Sequence, residues 1–159
     1  MKKYTKKIIL STVFSITSFF IYSQNGVDSN GKKHGSWEVK VQGKTAFQGN
    51  YNHGLKSGIF KTYYHNSGGL QNENYFVNDK LHGLQKAYSQ TGVLLWSANY
   101  SNGVKVGKET KYYPNGNIKA ELNYASSGEL EGNIVVYDEQ GNVLDQKISA
   151  GSSQRTISN

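Results

Sequence analysis

The chain of 159 residues contains no cysteine, which excludes a disulfide framework, a thiolate metal site and a lipoprotein-type cysteine anchor. It has a single proline, Pro114, and 36% apolar residues with a mean hydropathy of −0.63. A chain this polar builds no deep core, whereas a thin sheet needs less apolar surface. Its one long apolar run, Ile8–Ser23, has 16 residues, with five Ser or Thr before the final Ser23. That is short of the ~20 apolar residues needed to span a membrane. Lys2, Lys3, Lys6 and Lys7 precede the run. A basic start, a short apolar stretch and a small residue at its end describe a secretory signal peptide, here 1–23. Export to the periplasm, cell envelope or medium is therefore expected. Removing the four lysines lowers the formal charge from +7 to +3, spread along the chain. Nucleic-acid binding thereby loses its main support.

What is abundant is glycine, with 18 residues, and aromatics at 13%, twelve of them tyrosine. Many turn residues together with large β-favouring side chains predict an all-β fold. A glycine recurs at Gly35, Gly58, Gly83, Gly107 and Gly132, at spacings of 23, 25, 24 and 25. Other columns keep the same phase. Gly31, Gly54, Asp79, Gly103 and Gly128 stand four residues earlier, and Tyr63, Tyr88, Tyr112 and Tyr137 five residues later. Mid-unit turn glycines follow at Gly43, Gly68, Gly92, Gly116 and Gly141, and the first four units close on Tyr51, Tyr75, Tyr100 and Tyr124. Such a period marks an array in which each unit buries its apolar side only against neighbours. The expected fold is about five tandem β-hairpins in an elongated, twisted antiparallel sheet over residues 30–148. A polar linker, 24–29, precedes it and a polar tail, 149–159, follows.

Residues 102–124 are the clearest unit. Pro114-Asn115-Gly116 suits a three-residue loop closed by a left-handed glycine. Regular pairing from that loop sets Tyr112 opposite Ile118, Thr110 opposite Ala120 and Lys108 opposite Leu122. It predicts one apolar face of Tyr112, Ile118, Ala120, Leu122 and Tyr124, with Glu109, Lys111, Lys119 and Glu121 pointing away. The preceding unit gives Leu84, Tyr88, Leu94, Trp96, Ala98 and Tyr100. Unit two carries an extra residue in its His65–Gly69 turn, which invites a register slip or a bulge.

The segments Tyr51-Asn52-His53-Gly54-Leu55-Lys56-Ser57-Gly58 and Tyr100-Ser101-Asn102-Gly103-Val104-Lys105-Val106-Gly107 share a Tyr-x-x-Gly-x-x-x-Gly skeleton. With Asn30–Trp37 (NGKKHGSW) and Tyr113-Pro114-Asn115-Gly116, the chain resembles the bacterial variant of the MORN repeat, the membrane occupation and recognition nexus, over about residues 30–148. The resemblance implies strings of antiparallel hairpins acting as interaction modules, and some relatives carry an antitoxin label. Trp37 and Phe60 stand where other MORN members have a second glycine, so phospholipid binding is not carried over.

Residue chemistry recommends no catalytic site. His34 and His82 occupy equivalent turns two units apart, about 20 Å by strand spacing, too far to share a metal. His53 and His65 lie in turns at opposite ends of a strand. The carboxylates are scattered, Glu129 and Glu131 being the nearest pair, and no phosphate-binding or nucleophile-elbow motif occurs. No cofactor or metal is expected. The sequence therefore predicts a non-enzymatic protein-binding or scaffold module with an unidentified protein partner or a second copy of itself. Trp37, Tyr88, Trp96 and Tyr112 are its candidate contact residues. The alternatives are a carbohydrate or cell-envelope binding module, with glycan or membrane contact, and an antitoxin- or immunity-type partner.

Overall fold

Alternating β-favouring runs and left-handed turn residues give eleven strands among the described residues: β1 (Gly35–Val41), β2 (Lys44–Asn52), β3 (Leu55–Tyr63), β4 (Leu70–Val77), β5 (Lys80–Leu81), β6 (Gly83–Tyr88), β7 (Leu94–Ser101), β8 (Val104–Tyr112), β9 (Ile118–Tyr124), β10 (Gly132–Tyr137) and β11 (Val143–Ser149). The computed structural model describes residues 25–149. The expected signal peptide, and the expected tail beyond Ser149, lie outside the described residues. The strands form one open antiparallel sheet in chain order, with the short β5 pairing only with β4. Ten strands on the main path, spaced about 4.8 Å, make a sheet roughly 43 Å across.

The turns explain the order. His53-Gly54, Asn78-Asp79 and Asn102-Gly103 have positive φ at both residues, the type I′ geometry that suits the twist of two-residue hairpins. At the opposite end, the Pro114 loop closes as its sequence predicts. The Gly116 N–H donates to the Tyr113 carbonyl at 2.9 Å and the Tyr113 N–H to the Asn117 carbonyl at 2.8 Å. Units are tied together at both ends. The Gly54, Asp79 and Gly103 N–H groups donate to the carbonyls of Lys33, Lys56 and Leu81. The Tyr64 and Tyr113 hydroxyls donate to the Tyr88 and Tyr137 carbonyls, each 24 residues on.

The regular register expected for these hairpins is corrected by a bulge in every one. Tyr112 does face Ile118, but Lys111 faces Ala120 and Glu109 faces Leu122, which leaves Lys119 as an extra residue on β9. The same offset leaves Ala46, Gln71, Leu95 and Leu144 unpaired in the other hairpins. A bulge moves every later side chain to the other face. One face therefore carries Trp37, Tyr51, Phe60, Phe76, Gln85, Trp96, Ala98, Glu109, Leu122 and Tyr124. The other carries Tyr63, Tyr88, Tyr112 and Tyr137 with their opposed partners Leu70, Leu94, Ile118 and Val143. Leu84 and Tyr88 are thus on the opposite face from Trp96 and Ala98.

Two further expectations change. The extra residue of unit two is held in its turn, where the Gly68 N–H reaches the Tyr64 carbonyl at 2.7 Å. The strand beyond keeps its phase, so Phe76, opposite Gly58, takes the place that Tyr51 holds opposite Gly35, and Tyr75 faces the other way. The stretch expected as a linker is hydrogen-bonded to β1. The Asn25 N–H donates to the Ser36 carbonyl at 2.8 Å, the His34 N–H to the Gly26 carbonyl at 2.9 Å, and Val27 bridges Lys33. Asp28 caps the connecting turn by accepting from the Asn30 and Lys32 N–H groups.

Among the described residues the buried hydrophobic side chains are Phe60 and Ala98. Phe60 lies over Gly49, where an added Cβ would stand 2.4 Å from the ring. The sheet is held by cross-strand packing on its two faces in place of a central core.

Candidate interaction surface

The first face is an aromatic ladder. Edge-to-face contacts run Trp37–Tyr51 at 5.8 Å, Tyr51–Phe60 at 5.2 Å and Phe60–Phe76 at 5.3 Å between ring centroids. This is the geometry that ring quadrupoles favour. The residue two before the repeat glycine covers the ladder. Lys33 Nζ lies 4.6 Å from the Trp37 ring and 4.8 Å from Tyr51, and Lys56 Nζ lies 4.8 Å from Phe76. Lys105 repeats the arrangement 4.9 Å from Tyr124.

Glu109 occupies the ladder position held by Trp37 and Phe60 in earlier units, and is 3% exposed. Its carboxylate accepts from Trp96 Nε1 at 2.6 Å, Tyr124 Oη at 2.7 Å and Lys105 Nζ at 2.9 Å. Burial acts to raise its pKa, but these three hydrogen bonds and the lysine charge outweigh it and hold the carboxyl below the usual range. Burial likewise acts to lower Lys105, and Glu109 reverses that into a raised pKa. Gln85, at the same position one unit earlier, is 1% exposed. Its Oε1 accepts from the Tyr75 N–H at 2.9 Å, and its Nε2 donates to the His82 and Gly83 carbonyls at 2.9 and 3.0 Å.

The structure does not bring the four candidate residues together. Trp37 and Trp96 are on the ladder face, whereas Tyr88 and Tyr112 are on the other. Both tryptophans are used inside the fold: Trp37 Nε1 donates to the Gly26 carbonyl at 3.0 Å, and Trp96 Nε1 is held by Glu109. Tyr88 and Tyr112 are half-buried against Leu94 and Ile118.

The second face holds the exposed apolar row. Ile59 opposes Tyr75 directly, and Leu84 continues the row on β6; their exposures are 49%, 41% and 46%. Beside them runs an ionic row in which Glu73 meets Lys61 at 3.5 Å and Lys86 at 3.7 Å. Two open hollows share Ile59, one of about 330 Å³ towards Ser36 and Asn50 and one of about 210 Å³ between Tyr75 and Leu84. Composition and spacing did not reveal this row, because its residues take this face only once the bulges and the unit-two turn are counted.

The histidines pair differently from the pairings weighed in the sequence. His34 and His53, in adjacent turns at one end of the sheet, have ring centroids 4.8 Å apart. His53 Nδ1 lies 2.6 Å from Asp28 Oδ2, which with the Lys32 and Asn30 N–H bonds lowers the Asp28 pKa from 3.8 to about 2. Among the described residues no group of three or more His, Asp or Glu side chains is placed to hold a metal ion.

No family model and no curated protein matches the chain. Among solved structures, a chain of the GtfA/B complex bound to UDP and GlcNAc is similar at 13% identity and a TM-score of 0.33. The similarity covers 57% of this chain and 22% of that one. At this level it bears on neither fold nor activity.

Proposed function

We propose that this chain is a non-enzymatic, exported protein-interaction module of the MORN-repeat variant kind, and that it binds a protein partner through the Ile59–Tyr75–Leu84 face. The observation that carries the reading is this row of large apolar side chains, aligned across three strands and left open. The aromatics of the opposite face are instead packed on one another beneath lysines. Clustered exposed apolar surface bordered by polar groups is typical of protein contact sites. The carbohydrate alternative has less support, since stacking on Trp37 or Trp96 would require displacing Lys33 or Lys105.

A photo-crosslinking residue at position 75, in the native host, tests the reading. A defined adduct at 75 that disappears in a Leu84→Glu background is expected. Adducts forming only from the ladder face, at position 122 for example, would overturn it. Export is tested separately, by N-terminal sequencing of the protein recovered outside the cytoplasm. Cleavage near Ser23 or Gln24 is expected.

A further inference from the structure

The two edges of the sheet are finished differently. At the β1 edge, Asn25–Lys33 folds back onto the strand. The Asn25 N–H bonds the Ser36 carbonyl, Asn25 Oδ1 accepts from the Glu38 N–H at 2.8 Å, and Trp37 Nε1 holds the Gly26 carbonyl. The outer Ser36 carbonyl and Glu38 N–H of β1 are thereby occupied by Asn25. At the other edge β11 pairs only with β10, and the described residues cover none of its outer side. Val143 and Leu144 there are 58% and 63% exposed. An uncovered edge strand is a template for another strand.

The charges of β11 discriminate among the ways it can be used. Asp145 opposes Val136 and Lys147 opposes Ile134, so both project on the ladder face, with Gln146 between them on the other face. Their side chains meet at 3.3 Å and are 52% and 74% exposed. Two copies of β11 related by a two-fold axis normal to the sheet pair antiparallel, with like faces on the same side. Such pairing must centre on a residue. Centred on Asp145 it sets aspartate against aspartate, and centred on Lys147 it sets lysine against lysine. Centred on Gln146, it places Asp145 of each copy opposite Lys147 of the other, twice.

We propose that β11 is a self-association edge: two copies of this chain join antiparallel through β11, centred on Gln146, into one continuous sheet. A head-to-tail array is disfavoured because Asn25 already takes the outer Ser36 carbonyl and Glu38 N–H in the middle of the β1 edge, so the assembly closes at two copies. The contact is distinct from the Ile59–Tyr75–Leu84 face and stands or falls separately from it.

Sedimentation velocity on the natively processed protein tests this with Asp145→Lys, Lys147→Asp and the double exchange D145K/K147D. The wild type sediments as a dimer. Each single reversal turns both cross-strand pairs into like-charge pairs and weakens association by about tenfold or more. The double exchange restores it, and an equimolar mixture of the two single variants yields a heterodimer. That recovery shows that each single variant is folded, independently of its circular dichroism. A monomeric wild type, a dimer indifferent to both single reversals, or a double exchange that stays dissociated would each overturn the proposal.

Discussion

Trp96 Nε1 donates to Glu109 Oε1 at 2.6 Å, placing a carboxylate in the row where the first two units set aromatic rings. Glu109→Ala leaves the Trp96 N–H and the Lys105 ammonium without their acceptor. Removing one member of a buried charged network leaves its partners unsatisfied, here at a cost of roughly 2–4 kcal/mol. Urea denaturation followed by Trp96 fluorescence should show this loss, with Glu109→Gln falling between alanine and wild type.

Gly49→Ala is expected to destabilise through overpacking, since the new Cβ would stand 2.4 Å from the Phe60 ring. The effect should be about 1–3 kcal/mol. Combining it with Phe60→Leu should recover part of the loss in a double-mutant cycle, because the two sites share one space. Purely additive losses would contradict this packing.

Acid sensitivity should arise at Asp28, Glu38, Glu109 and Asp138, whose pKa values are all lowered in the folded chain. A lowered carboxyl contributes stability that is full above its unfolded pKa and is lost as pH falls through the folded one. For Asp28 that window runs from 3.8 down to about 2. Asp28→Asn should therefore lower stability near neutrality and flatten its further fall with pH across this window. A titration of the denaturation midpoint against pH reads this directly.

The lysines over the ladder should shield it. Lys33→Gln with Lys56→Gln removes the ammonium groups near Trp37, Tyr51 and Phe76. Each loss should cost about 0.5–1 kcal/mol, and hydrophobic-dye binding should rise. Dye fluorescence unchanged in the double variant would mean that the aromatic edges alone exclude the probe.

The hairpin order, the turns and the repeat glycines were legible in the sequence because each rests on local chemistry. Gly116 and Gly103 adopt the left-handed geometry that their neighbours predict. Face assignment was not legible. A bulge leaves no mark in composition: Lys119 looks like any other strand residue, yet as the extra one it moves Tyr112 away from Ala120 and Tyr124. The Phe76-for-Tyr75 exchange follows from the extra turn residue, which was visible, though whether turn or strand would absorb it was not. Glu109 reads in sequence as pointing away from the apolar face, since the bonds that satisfy it come from Trp96 and Tyr124, which only the fold brings near. Of the four candidate contact residues, both tryptophans donate hydrogen bonds within the fold, Trp37 to the Gly26 carbonyl and Trp96 to Glu109.

The ladder between β4 and β6 consists of two pairs, Asn72 with Ala87 and Glu73 with Lys86, before the Gln85 side chain takes over the bond to Tyr75. The ladder between β9 and β10 is as short, Glu121 with Val135 and Ala120 with Val136. Within the hairpins β3–β4, β6–β7 and β8–β9, six pairs run side by side. Strand-to-strand pairing is thus shortest along two lines, each also bridged by a tyrosine hydroxyl, which divide the sheet into the blocks β1–β5, β6–β9 and β10–β11. Under load these lines would flex and part first, while each block keeps its shape. The apolar row crosses the first of them, with Ile59 and Tyr75 on one block and Leu84 on the next. Bending there changes the distance between Tyr75 and Leu84, so the curvature of the sheet and the fit of whatever lies on that face are one mechanical variable.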